Sequence, residues 1–181
     1  LGQLAGCRYF SSLDATKGYW QVPIAEKDRH KAAFMVDEEQ YCFRRMAMGL
    51  QSASGVYQRM MTTICASIPA ARCFIDDVLV ASPSFEEHIS ALRQVFEAMK
   101  LAGITLNPAK AHLACAQLKF LGFIVSPEGV SADPGMISAI KDKPAPTCKK
   151  EAQRLVGMLN FLRPFVPGFA RLAAPLYETV A

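Results

Sequence analysis

Phe74-Ile75-Asp76-Asp77-Val78-Leu79-Val80 sets two adjacent carboxylates inside an apolar run of strand character. A third, Asp14, ends a second such run, Tyr9-Phe10-Ser11-Ser12-Leu13. Burying an ionised carboxylate without a partner is costly, and a close pair adds like-charge repulsion. A divalent cation relieves both costs, and two such ions ~4 Å apart form the clamp used for in-line nucleotidyl transfer. A plain hairpin turn is the competing reading, because Asp is common in turns. Two-residue hairpin loops favour Asn-Gly or Asp-Gly, since both positions need a positive φ, and Asp-Asp fits that preference poorly. On this pair alone the two readings stand level.

The surroundings of Asp14 separate them. Tyr9 to Leu13 suits a strand, and alternation resumes from Tyr19 to Ile24. Between them lie Lys17 and Gly18. Glycine allows an unusual φ and a close backbone approach to a ligand. Backbone N–H groups in such a turn form an anion-binding nest. A carboxylate for metal beside a nest for phosphate matches what a nucleoside triphosphate needs.

Further motifs follow in order: Gly49-Leu50-Gln51-Ser52-Ala53 with Tyr57-Gln58, Gly103-Ile104-Thr105-Leu106-Asn107-Pro108 with Lys110, and Phe120-Leu121-Gly122-Phe123. A tail runs from Leu159-Asn160-Phe161-Leu162-Arg163 to Ala174-Pro175-Leu176. Together with Phe10–Asp14, Lys17-Gly18-Tyr19 and the Asp pair, this series resembles the reverse transcriptase of gypsy-class LTR retrotransposons, and more distantly that of retroviruses. Each motif is weak alone; their order and spacing over nearly the whole chain carry the resemblance.

The resemblance implies an α+β fold, the palm of a right-hand polymerase, with an antiparallel sheet and flanking helices. Residues 1–129 would be palm, with partial fingers at about 22–52, and 130–181 would begin the thumb or connection. It implies an RNA-directed DNA polymerase adding dNTPs to a DNA or tRNA primer on an RNA or DNA template. Asp14 and Asp76 would bind two Mg²⁺ ions, for which Mn²⁺ substitutes. Asp77 would be a third carboxylate and the Ala15 carbonyl an extra ligand. Lys17, Gly18, Tyr19, Met48 and Gly49 would contact the dNTP, with Tyr19 excluding a 2′-hydroxyl. Gln51, Ser52, Phe74, Phe120, Leu121 and Gly122 would contact template or primer. Lys110 would protonate the leaving pyrophosphate; its plainer reading is a solvated lysine. RNase H and integrase regions of a parent polyprotein would be partners, in a cytoplasmic virus-like particle or the nucleus.

Some residues depart from the pattern. Phe74 stands for the usual Tyr, Ser52 for Asn, Ser54 for Pro, Ala47-Met48 for Pro-Phe, Trp20 for His, and Lys143-Pro144 for Trp-Pro. None removes a carboxylate. They keep open a second reading, a silent, truncated or domesticated nucleic-acid-binding remnant. A third is an unrelated metal-dependent phosphotransferase or cyclase on a ferredoxin-like sheet.

Composition sets the bounds. The 181 residues are 51% hydrophobic, enough for a real core in one domain with a small lobe. The net charge of +4 does not by itself signal nucleic acid. Lys141, Lys143, Lys149, Lys150, Arg154, Arg163 and Arg171 face only Asp142 and Glu151 in their stretch, which suits either a phosphate backbone or a solvated helix face. The six cysteines form no C-x-x-C, and they read as reduced core residues of an intracellular protein. No run approaches the ~20 apolar residues of a membrane span. The opening Leu1-Gly2-Gln3-Leu4 falls mid-pattern and reads as a fragment of a longer protein.

Several elements are legible. Residues 31–45 read as hairpin arms around Asp37-Glu38-Glu39-Gln40, and Leu113 to Val125 as another hairpin. Ser52 to Ile68 has a helical stripe of Val56, Met60, Ile64 and Ser67, stopped by Pro69. Ser84-Phe85-Glu86-Glu87 is a capping box opening a helix with a stripe of Ile89, Leu92, Val95, Phe96 and Met99, closed by Gly103. Asp133-Pro134 starts a short helix, and Thr147 to Leu162 another, ended by Pro164.

Overall fold

The computed structural model describes residues 4–180, which fall into two compact units. The first runs to Leu118 and includes Ser126–Glu128; the second holds Lys119–Val125 and the chain from Gly129.

The first unit is built on a four-stranded sheet in the order β4-β5-β1-β6, from β1 (Tyr9–Asp14), β4 (Ala71–Phe74), β5 (Asp77–Ser82) and β6 (His112–Cys115). Its three pairings are all antiparallel. Two helices, α1 (Ala53–Ile64) and α2 (Phe85–Leu101), accompany it. Leu13, Val78 and Val80 share one core with Ala53, Tyr57 and Met61 of α1 and Leu92, Val95 and Met99 of α2. A separate hairpin, β2 (Ala33–Val36) and β3 (Glu39–Cys42), turns through Asp37 and Glu38, both at positive φ. It carries exposed Phe34 and Tyr41, stacked at 5.9 Å.

Ser84 caps α2 as the sequence predicts, its Oγ accepting from the Glu87 N–H at 3.2 Å. The buried faces of both helices differ from the expected stripes. In α1 the core takes Ala53, Tyr57 and Met61, one position on from Val56 and Met60, and Val56 is exposed. This helix is apolar on two flanks, and the flank turned inward begins with the small Ala53 and offers Tyr57 to fill the core. In α2 buried His88 replaces Ile89, and Phe96 is exposed. The Nε2 of buried His88 shares a 2.7 Å hydrogen bond with Ser11 Oγ, which also accepts from the Ala114 N–H, while Nδ1 has no partner among the described residues.

Two strand expectations are corrected. After Gly18 the chain forms a 3₁₀ turn, Gly18–Gln21, not a strand. Lys17 adopts the left-handed conformation and redirects the backbone there. The hairpin expected over Leu113–Val125 is split, because β6 pairs with β1. The hairpin itself joins β7 (Leu118–Phe120) to β8 (Phe123–Ser126).

In the second unit β9 (Gly129–Ala132) completes a three-stranded sheet in the order β7-β8-β9, followed by α3 (Pro134–Lys141), α4 (Lys149–Leu162) and α5 (Phe169–Val180). Asp133 caps α3, accepting from the Gly135 N–H at 3.0 Å, and pairs with Lys119. Leu121 and Gly122 form the β7–β8 loop, both at positive φ. A Cβ on Gly122 would lie 3.0 Å from the Phe161 ring of α4, which stacks on Phe123 at 4.4 Å. Glycine is therefore required there by both conformation and space.

Candidate active site

The antiparallel register brings the carboxylates together. Asp14, the last residue of β1, pairs directly with Asp77, the first of β5. Phe74 pairs with Asp77, so the β4–β5 loop is Ile75-Asp76. Turn and site are thus the same feature: the Asp pair straddles the end of a hairpin loop. The Ala15 N–H donates to the Asp76 carbonyl at 3.0 Å, extending the ladder one step past the strand ends. By strand alternation Asp14 and Asp77 lie on the face opposite Leu13 and Val78, away from the helices.

The charges interact. Burial, then the negative charges of Asp76 and Asp14, raises the Asp77 pKa above its ordinary value of 3.8, with Lys110 partly opposing. Lys110 Nζ lies 3.2 Å from Asp14 Oδ2. Among the described residues no three His, Cys, Asp or Glu side chains are gathered closely enough to cage an ion unaided. The donors present are hard oxygens with an excess of negative charge, which fits Mg²⁺, an ion that keeps waters and takes one or two carboxylates plus phosphate oxygens.

A raised pKa means that the folded state holds this proton more tightly than the unfolded chain does. Stability from Asp77 is then full below the unfolded value and lost as pH rises through the folded one. Asp77→Asn is therefore expected to raise Tm at pH 7 in EDTA, with the gain shrinking toward about pH 4. Thermal unfolding across that range checks this; an unchanged Tm at pH 7 would contradict it.

The turn after Asp14 differs in detail from expectation. Lys17, not Gly18, carries the left-handed backbone, at φ 51° and ψ 40°. Gly18 provides room instead: a Cβ there would lie 3.2 Å from the Tyr57 ring and hydroxyl and 3.3 Å from Asp76 Cβ. Tyr19 donates to or accepts from Ser54 Oγ at 2.9 Å, and its ring meets Tyr57 edge-on at 5.4 Å. No local sequence pattern marks Gln21, yet it ties this turn down. Its Nε2 donates to the carbonyls of Thr16 (2.6 Å) and Thr105 (2.9 Å), and its Oε1 accepts from the Thr105 N–H (2.7 Å). Asn107 N–H donates to the Asp14 carbonyl at 2.8 Å, which brings the Lys110 segment alongside.

Tyr57 is fully buried, and among the described residues its hydroxyl has no hydrogen-bond partner. Burial, then Asp76 and Asp14, pushes its pKa up to about 12, so it stays neutral. Tyr57→Phe removes an unsatisfied polar group. It is expected to stabilise the fold by about 1 kcal/mol, or roughly 2–4 °C in Tm, as read by thermal unfolding. A loss of stability would mean that the hydroxyl has a partner in solution.

Met48 is 69% exposed, Gly49 has φ 88°, and Gln51 and Ser52 are exposed at the start of α1. Phe74, 52% exposed, precedes the Asp loop. All these residues belong to the first unit, with the three aspartates; Phe120, Leu121 and Gly122 belong to the second.

A family model described as "Reverse transcriptase (RNA-dependent DNA polymerase)" matches residues 1–125. The Pol polyprotein of transposon opus from Drosophila melanogaster is 36% identical over 178 residues, 97% of this chain and 18% of that protein. The polyprotein of transposon gypsy from the same organism is 30% identical over 180 residues, 98% of this chain and 17% of its own length. The Pro-Pol polyprotein of feline foamy virus is 32% identical over 180 residues, 99% of this chain and 16% of that protein. The chain thus spans under a fifth of each of these three polyproteins. The foamy viral protease-reverse transcriptase, solved in complex with an RNA/DNA hybrid, superposes with a TM-score of 0.88 at 26% identity, over 96% of this chain and 24% of that one. A second structure, with double-stranded DNA, also gives 0.88, at 27% identity over 94% of this chain and 30% of that one. The mixed fold with its antiparallel sheet is therefore a polymerase fold of this type, and the chain belongs to the reverse transcriptase family of LTR retrotransposon and retroviral Pol polyproteins.

Proposed function

We propose that this chain is the catalytic core of an RNA-directed DNA polymerase that adds dNTPs to a primer 3′-hydroxyl by two-metal nucleotidyl transfer. The observation that carries the reading is the direct pairing of Asp14 with Asp77 beside the Asp76 loop, next to the left-handed Lys17 turn. Asp14 and Asp76 would hold two Mg²⁺ or Mn²⁺ ions, with Asp77 and the Ala15 carbonyl nearby. Bound there, the ions would acidify the primer hydroxyl and stabilise the leaving pyrophosphate.

The remaining roles belong to the chain. Backbone N–H groups at Lys17 and Gly18 would receive the triphosphate. Tyr19, braced by Ser54 and Tyr57, would stand against the sugar and exclude a 2′-hydroxyl. Met48, Gly49, Gln51 and Ser52 would line the nascent base pair. Phe74 and the Phe120-Leu121-Gly122 loop would bear on the primer. Lys110, beside Asp14, would return a proton to pyrophosphate. Residues 1–129 would serve as palm and partial fingers, and 130–181, which include the basic residues from Lys141 to Arg171, as the start of the thumb or connection. The foamy viral relatives bind an RNA/DNA hybrid and double-stranded DNA, which supports a primed RNA or DNA template as partner here.

The test is binding and extension of one labelled RNA/DNA primer–template by this chain. Binding is expected with or without Mg²⁺, and extension only with it. Binding without extension from a folded chain would favour the silent remnant. Neither, with turnover of free nucleotide, would favour the unrelated phosphotransferase.

A further inference from the structure

Ile75 is β-branched yet sits in the left-handed region, at φ 53°. Such a residue is a genuine outlier, and backbone of this kind persists only where its surroundings over-determine it. Ile75 packs partly buried against the core, and one side chain engages the backbone on both sides of Phe74. Gln58 of α1 accepts from the Ile75 N–H through Oε1 at 2.7 Å and donates to the Cys73 carbonyl through Nε2 at 3.1 Å. Both ends of the amide thus engage backbone flanking Phe74, where the chain enters the Ile75-Asp76 loop. On the far side the Asp76 carbonyl is tied to the Ala15 N–H of the Asp14 strand.

We propose that Gln58 is a positioning residue that locks the left-handed Ile75 turn and so fixes the direction of Asp76 and Asp77 against Asp14. An apolar side chain of the same length would fill the space but leave the Ile75 N–H and the Cys73 carbonyl unpaired. The catalytic consequence rests on the polymerase reading above; the structural one does not. Glycine takes a positive φ freely, so an Ile75→Gly turn has little need of the clamp.

The experiment compares wild type, Gln58→Met, Ile75→Gly and the double variant. Amide hydrogen exchange at Ile75–Asp77 is expected to speed up about tenfold or more in Gln58→Met, with α2 unchanged. Single-nucleotide addition should lose about tenfold or more in maximal rate, with the dNTP KM within roughly threefold, as expected of a misplaced group. Adding Gln58→Met to Ile75→Gly should cost less than about threefold in rate. Unchanged exchange at the turn, or the same rate loss in both backgrounds, would overturn the proposal. If Gln58→Met does not fold, the double variant decides: folded, it supports the clamp; unfolded, it overturns it. If wild type adds no nucleotide, the polymerase reading fails while the exchange comparison still judges the clamp.

Discussion

Asp76→Asn is expected to lower Mg²⁺-dependent primer extension by on the order of 10³-fold, the scale lost when a preorganised charge-stabilising group is removed. Primer–template affinity should stay within about threefold, since duplex binding draws mainly on phosphate contacts made by basic residues. The reason for the split is local. Asp76 lies in a two-residue loop between paired strands, and its carbonyl is held by Ala15. The amide of Asn preserves that geometry but cannot neutralise a cation. Parallel titrations of binding and extension read the two effects separately. Equal losses in both would mean that Asp76 shapes the fold more than it serves the chemistry.

The second large effect is expected at Gly18. A single Cβ there already meets the Tyr57 ring at 3.2 Å and Asp76 Cβ at 3.3 Å, and Tyr57 is fully buried with no room to retreat. Gly18→Val must therefore push Asp76 or lift the Lys17 turn. Overpacking of this kind costs about 1–3 kcal/mol of stability. A displacement of about 1 Å at a reacting centre costs on the order of 100-fold in rate. Extension and thermal unfolding of the variant check both figures. A variant that unfolds normally and extends normally would show that the turn yields without moving Asp76.

Local signals made much of this molecule legible. The apolar run after Asp77 reads as a strand, and it is one, buried from Val78 to Ser82. The capping box at Ser84 and the Asp133-Pro134 pair act within a few residues and start helices where expected. Faces and partners were harder to read. α1 has apolar residues on two flanks, and only the tertiary core selects Ala53, Tyr57 and Met61. Gly18 drew attention as a residue of free conformation, but its neighbour Lys17 takes the unusual φ, and Gly18 is needed for space that a distant helix defines. Gln21 and Gln58 escaped as functional residues because their bonds reach Thr105 and Ile75, contacts that no local pattern announces. The carboxylates themselves are legible because buried adjacent charges are costly wherever they occur.

The most direct measurement is anomalous diffraction from crystals of this chain with Mn²⁺, an RNA/DNA primer–template and a non-hydrolysable dNTP. Two peaks ~4 Å apart are expected, both contacted by Asp14 and Asp76 and by the triphosphate oxygens. Bound nucleotide with no metal at these aspartates, or metal held elsewhere in the chain, would contradict it.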